Sequence, residues 1–164
     1  MTTTNKYGSK PFWWNPTTQQ KEANKTSDDC VYWDSLLEFS VYCQLRKLYP
    51  EKAITRQVPI VLKPATLNYP EQCWKCDFRV LDPILGHYNL EVKGFWIKQD
   101  SAANADFRKT LMLLDTFNLE EYLKLIVISD KWFPLDKRIR TIKFYELQNK
   151  IKEIQDRWQK LKNQ

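Results

Sequence analysis

The chain has 164 residues, of which 43% are hydrophobic and 28% charged, as is usual for a globular protein with one buried core. No apolar run approaches the ~20 residues that span a bilayer, and residues 1–20 lack the pattern of a signal peptide. We therefore expect an intracellular, cytoplasmic protein with reduced cysteines and no membrane function. Only three glycines are present, which argues against a glycine-rich phosphate loop.

Positive charge is concentrated towards the C-terminus. From Lys131 onward there are ten Lys or Arg and four Asp or Glu residues, whereas the preceding residues carry sixteen of each sign. A neutral body followed by a basic segment suits a polyanionic partner such as DNA. A solvated basic helix face is the alternative, and charge alone does not separate the two.

Residues 1–30 have the composition of a flexible N-terminal arm, rich in Thr, Asn, Gln and Lys and without hydrophobic periodicity. The one apolar cluster of this arm is Phe12, Trp13 and Trp14, which indicates either packing onto the body or stacking on bases. Residues 31–164 are expected to form a single domain.

The first half of this domain is predicted to contain a helix followed by three strands. Apolar residues at helical spacing predict the helix over 34–48, with Asp34 or Ser35 as its cap. A β-branched run predicts a strand over 55–63, in which Pro59 is typical of an edge strand or a bulge. Alternating segments at 74–81 and 88–95 predict a β-hairpin.

The second half is predicted to contain two helices with a strand between them. The first helix covers 102–118, and the strand at 123–129 is almost wholly apolar, which indicates parallel pairing with both faces buried. The basic last helix, 143–162, carries an apolar seam that either packs on the body or forms a dimer contact. The expected fold class is α/β, a mixed sheet flanked by helices.

Three acidic residues and one lysine are the candidate chemical groups. Glu91 and Lys93 are two apart on one strand and share a face, and the hairpin brings Asp77 beside Glu91. Glu38, on the first helix, is a further candidate. Adjacent carboxylates repel each other unless a cation joins them, and Mg²⁺ prefers oxygen ligands of this kind.

This grouping predicts Mg²⁺-dependent hydrolysis of a phosphodiester. Lys93 would either stabilise the charge that develops in the transition state or help to activate the attacking water. Taken singly, each of the four residues is better explained as an ordinary surface charge, so the interpretation depends on their conjunction.

The order Glu38, Asp77 and Glu91-Val92-Lys93-Gly94 on helix, strand and strand resembles the PD-(D/E)xK nuclease superfamily, which has the restriction-endonuclease-like αβββαβ fold. The resemblance covers residues 34–129, although Cys76 stands where the superfamily has proline. It implies that Asp77, Glu91 and the Val92 carbonyl bind Mg²⁺, with Mn²⁺ as a substitute. It also implies that Lys93 serves the nucleophile and that Glu38 is an outer or second-metal carboxylate.

Within this superfamily the chain resembles intron-encoded and mobile-element homing endonucleases, as well as phage endonuclease-I-type junction resolvases, and transposon-end nuclease subunits share the DSLLEF-like helix. The implied activity is cleavage of double-stranded DNA by a homodimer or higher homo-oligomer. The alternatives are a phage-like Holliday junction resolvase and a catalytically inactive DNA-binding subunit with the same fold.

Several cations are candidates for contacts with DNA phosphates, and an ordinary solvated charge is the alternative for each. The candidate DNA-binding residues are Arg56, Gln57, Arg108, Lys109, Lys137, Arg138, Arg140 and Lys143.

The spacing of Cys73 and Cys76 is compatible with zinc, but Cys30 and Cys43 are separated by twelve intervening residues, so buried free thiols are favoured over a structural zinc site. Cys76 is expected to point to the apolar face, away from Asp77. The single histidine, His87, is placed in a turn without partners for nucleophilic catalysis.

Overall fold

The computed structural model describes residues 10–98, 100–131 and 134–163. The chain divides into two compact units, one that ends at Cys43 and one that begins at Gln44. The boundary falls inside the first helix, α1 (Leu36–Leu48). Each unit has its own β-sheet.

The N-terminal unit is built on a three-stranded antiparallel sheet in the order β2-β1-β3, with β1 at Phe12–Asn15, β2 at Gln20–Glu22 and β3 at Val31–Trp33. The Trp33 side chain is 1% exposed and contacts the Phe39 ring of α1 at 5.2 Å, while Phe12 packs on the same ring at 5.6 Å. Strands β1 and β2 thus lie within the segment predicted as a flexible arm. The packing of these aromatic rings buries apolar surface, which the polar composition of the segment does not indicate. The rest of the predicted arm, residues 1–9, lies outside the described residues.

The C-terminal unit contains a mixed five-stranded sheet in the order β4-β5-β6-β7-β8. The strands are β4 (Ile54–Lys63), β5 (Gln72–Asp82), β6 (Gly86–Val92), β7 (Leu125–Ser129) and β8 (Arg140–Lys143). Strands β4, β5 and β6 pair antiparallel, and β6, β7 and β8 pair parallel. The predicted hairpin, the edge position of the strand with Pro59 and the parallel pairing of β7 are confirmed. Strand β8 was not predicted; it includes Lys143, where the last helix was expected to begin, and that helix begins only at Leu147.

Three further helices follow the hairpin: α2 (Ser101–Phe117), α3 (Leu119–Leu123) and α4 (Leu147–Lys162). The Asp100 carboxylate caps α2 by accepting from the Ala103 N–H at 2.9 Å. One face of α2 is apolar and packs with the inward-facing residues of β4 and β7. The buried residues of this core include Val58, Ile60, Leu62, Phe107, Leu111, Leu114, Leu125 and Val127.

Only the first half of α4 packs as the seam predicts. Leu147 and Ile151 are buried, whereas Trp158 and Leu161 are exposed. Among the described residues no helix is both long and apolar enough to cross a membrane.

A buried carboxylate fastens α4 to the end of β5. Asp82 Oδ2 accepts from the Tyr49 hydroxyl at 2.5 Å and from Gln155 Nε2 at 2.6 Å. Asp82 Oδ1 accepts from the N–H groups of Ile84 and Leu85 in the turn. Burial alone would raise the pKa of Asp82, but these hydrogen bonds outweigh it and lower the pKa below its ordinary value.

The loop between β4 and β5, residues 64–71, is exposed throughout. The Thr66 N–H donates to the Tyr69 carbonyl at 2.8 Å and closes a turn, at whose tip Leu67 is 98% exposed.

Candidate active site

The structure brings Asp77 and Glu91 together at the point where β5 and β6 begin to separate. The last paired residues before this point are Phe78 and Leu90, so the same register places Asp77 opposite Glu91. The Asp77 N–H donates to Glu91 Oε2 at 3.3 Å, and Asp77 Oδ2 accepts from the Val92 N–H at 2.7 Å. The two carboxylates are therefore fixed by main-chain donors of the opposite strand.

Lys93, the residue just after β6, brings a positive charge to Glu91. Its ammonium forms an ion pair with Glu91 Oε1 and lies 5.0 Å from the centre of the Phe107 ring. The Lys93 N–H donates to the Ile128 carbonyl at 2.8 Å, which fastens this residue to β7. The Glu91 residue is 2% exposed and the Lys93 side chain 22%, so solvent reaches the site from the lysine side.

The local charges keep Lys93 protonated. Burial alone would lower the pKa of Lys93, but the carboxylates of Glu91 and Asp77 outweigh burial and raise it above its ordinary value. In this arrangement of charges Lys93 is an ammonium, which can stabilise negative charge.

Cys76 is buried as expected, but it does not point away from the carboxylates. Its thiol donates to the Leu90 carbonyl at 3.3 Å and also hydrogen-bonds with Glu91. Burial, the largest cause, together with the charges of Glu91 and Asp77, raises the pKa of Cys76 well above its ordinary value. The thiol is thus a neutral neighbour of the site.

The β4 backbone departs from extended geometry one residue from the partner of Cys76. On β4 the residue across from Asp77 is Gln57, whose φ of 50° lies in the left-handed region. A regular strand would alternate its side chains through this position, and the prediction for Cys76 assumed such alternation.

The chemistry of these groups suits one hard divalent cation. Two carboxylates on neighbouring strands, with the Val92 main chain beside them, provide the oxygen donors with which proteins bind Mg²⁺, whose remaining ligands are water and substrate phosphate. In residues 10–98, 100–131 and 134–163 no three His, Cys, Asp or Glu side chains come together as a metal-binding group. The described site thus offers two side-chain ligands.

Glu38 lies in the N-terminal unit, where it is buried in the first turn of α1. Its N–H donates to Ser35 Oγ at 3.1 Å, so Ser35 caps the helix as expected. A glutamate three residues after such a cap is common for structural reasons. The assignment of Glu38 to the site remains a prediction.

The candidate DNA-binding residues differ in their solvent exposure. Arg108, Lys109, Lys137 and Arg140 are exposed, whereas Arg56, Gln57 and Lys143 are partly buried. Arg138 is exposed but forms a two-pronged ion pair with Asp115, with both bonds at 2.9 Å, and pairs also with Asp136. Because its guanidinium is engaged within the chain, Arg138 is the weakest of these candidates.

Sequence reasoning missed a second polar cluster on β5 and β6. His87 lies on β6 rather than in a turn, and its Nε2 is 3.1 Å from Glu121 Oε1. Arg79 donates to Glu121 Oε2 at 2.8 Å and to Asn89 Oδ1 at 2.9 Å. Glu121 is 34 residues from His87 in the chain, so no local motif could have signalled this proximity.

The chain was compared with family models, with characterised proteins and with solved structures, and no match was found in any of the three.

Proposed function

We propose that this chain is a Mg²⁺-dependent endonuclease that hydrolyses phosphodiester bonds in DNA. The observation that carries the proposal is the cluster of Asp77, Glu91 and Lys93, in which Asp77 lies across from Glu91 on the adjacent strand and Lys93 pairs with Glu91. A structural ion pair needs only one acid for one lysine. The second carboxylate, held by a main-chain N–H, is explained by a divalent cation.

Each of the three side chains has a separate task in this proposal. Asp77 and Glu91 hold the cation together with the Val92 carbonyl, and their strands keep both carboxylates in place before substrate arrives. When bound, Mg²⁺ would acidify a water and neutralise charge on the scissile phosphate. Lys93, protonated and open to solvent on one side, stabilises the additional negative charge that builds on the phosphate oxygens as water adds.

The overall reaction adds one water across the phosphodiester. The water oxygen forms a bond to phosphorus, the bond from phosphorus to the leaving sugar oxygen breaks, and a proton passes to that oxygen. We assign Lys93 to charge stabilisation because its ammonium pairs with Glu91 at the site.

The nature of the DNA partner is part of the same proposal. We favour a homing or mobile-element nuclease that cuts duplex DNA over a junction resolvase, and cutting both strands would need two copies of the site. The exposed Trp158 and Leu161 at the end of α4 are the apolar surface that a homodimer could cover. Light scattering of the wild type and of Trp158→Lys would test this role.

Cleavage of supercoiled plasmid and of a synthetic four-way junction, each with Mg²⁺ and with a chelator, tests the activity. We expect Asp77→Asn and Lys93→Met to slow cleavage by at least about 100-fold while DNA binding is retained. The matched controls are Asp106→Asn and Lys75→Met, two exposed positions that should leave the rate unchanged.

The substrates separate the candidate functions. Linear product from plasmid supports a duplex endonuclease, whereas cleavage confined to the junction supports the resolvase. A wild-type chain that binds DNA but cuts neither substrate with Mg²⁺ or Mn²⁺ would be the inactive binding subunit. Normal cleavage by Lys93→Met would show that the site is wrongly assigned.

A further inference from the structure

One residue of the β4 edge strand has a backbone conformation that its side chain does not favour. Gln57 has a φ of 50°, in the left-handed region that glycine and asparagine enter readily and other residues seldom do. The pairs on either side of it, Arg56 with Phe78 and Val58 with Cys76, are in the same register. Asp77 is therefore the residue opposite the strained position.

The contacts of β5 change from apolar to polar at the strained position. On one side of it, Val58 and Cys76 lie in the core under α2, together with Val127, the β7 neighbour of Glu91. At the strained position the Asp77 N–H donates to the Glu91 carboxylate, and the Asp77 carboxylate accepts from the Val92 N–H. Strained residues and bulges recur beside functional sites because they redirect individual side chains.

We infer that the left-handed backbone of Gln57 is a positioning device for Asp77. It holds the β4 backbone out of the extended conformation across from Asp77, so that the Asp77 carboxylate stays on the Val92 N–H beside Glu91. The role belongs to the backbone conformation and not to the amide side chain. The effect of this positioning on metal binding rests on the proposed function, whereas the positioning of Asp77 is independent of it.

Substitutions at position 57 separate backbone from side chain. Gln57→Gly and Gln57→Asn accept a left-handed backbone, whereas Gln57→Val resists it and Gln57→Ala is intermediate. The matched control is Lys75→Val, an exposed position on β5 with the same introduced side chain. Since Gln57→Val is the variant most prone to misfold, Gln57→Ala provides the same comparison in a milder form.

The readouts are hydrogen exchange of the Val92 amide, followed by NMR, and the affinity for Mn²⁺, measured by calorimetry. We expect the Gly and Asn variants to match the wild type in both. Gln57→Val should exchange the Val92 amide at least about tenfold faster and bind Mn²⁺ about 10- to 100-fold more weakly, as is usual when support for a metal ligand is removed. Gln57→Ala should fall between them, and Lys75→Val should behave as the wild type.

Two results would overturn the inference. One is unchanged Val92 exchange in folded Gln57→Val and Gln57→Ala, which would show that the left-handed backbone does not hold Asp77. The other is loss of Val92 protection in folded Gln57→Gly, which would assign the role to the side chain. If the wild type binds no Mn²⁺, the proposed function fails, whereas the Val92 exchange still decides the role of Gln57.

Discussion

Replacing Lys93 by methionine removes the positive charge of the site and keeps a side chain of similar length. Glu91, 2% exposed, would then retain a buried carboxylate without its ion-pair partner. Breaking a buried pair from one side costs about 3–5 kcal/mol. Because the Lys93 side chain is 22% exposed, we expect the lower end, about 3 kcal/mol, or a fall in Tm of roughly 6–12 °C.

The sign of the pH dependence follows from the direction of the pKa shift. The pKa of Lys93 is raised in the folded chain, so the ion pair stabilises fully below the unfolded value of about 10.4 and its contribution disappears as pH rises through the higher folded value. The difference between wild type and Lys93→Met should therefore persist at neutral pH and shrink at strongly alkaline pH.

Mg²⁺ distinguishes a metal site from a simple ion pair. Urea unfolding followed by tryptophan fluorescence, with and without saturating Mg²⁺, should show a larger Mg²⁺ stabilisation for Lys93→Met than for the wild type, because the cation replaces the missing charge. The double variant Glu91→Gln with Lys93→Met should be more stable than Lys93→Met alone and should show no Mg²⁺ effect. If Mg²⁺ stabilises none of these chains, the two carboxylates do not form a cation site.

Three other regions give independent expectations. Asp82→Asn should reduce the free energy of unfolding by about 1–3 kcal/mol at neutral pH. Since the pKa of Asp82 is lowered in the folded chain, this difference should shrink as pH falls from about 3.9 through the lower folded pKa, as urea titrations at several pH values can show. Charge reversal of Arg140 and Lys143 should weaken DNA binding and reduce the slope of log K against log salt by about 0.9 for each phosphate that the protein no longer neutralises, with Lys52→Glu as the control. Trp33→Ala should destabilise the N-terminal unit by about 3–5 kcal/mol, measured by hydrogen exchange within its sheet, and unchanged protection there would contradict the aromatic packing.

Periodicity predicted the elements whose own sequence shows which of their residues are buried. The alternating segments of β5 and β6 and the apolar run of β7 each carry their pattern within a few residues, and the structure confirms them. Strands β1, β3 and β8 have three or four residues and depend on partners elsewhere in the chain. No window of sequence that short separates a strand from a loop.

The candidate site was predictable only in part. Glu91 and Lys93 are two residues apart, and the period of two in a strand places them on one face. The antiparallel hairpin then brings Asp77 beside Glu91, so these three residues could be grouped from the sequence. The left-handed backbone of Gln57 has no sequence signal, since neither Gly nor Asn stands there. For the same reason the orientation of Cys76 could not be inferred from alternation alone.

The exposed loop between β4 and β5 contains a peptide bond that a protease can reach. Leu67 is 98% exposed and chymotrypsin accepts large apolar residues, so the bond after Leu67 can be cleaved. The bond after Tyr69 is protected because proline follows it. The two fragments would remain paired along the antiparallel ladder from Ile54 with Val80 to Lys63 with Gln72. A nicked chain of this kind would allow Gln57 and Asp77, which lie on different fragments, to be exchanged separately by reassembly from independently made halves.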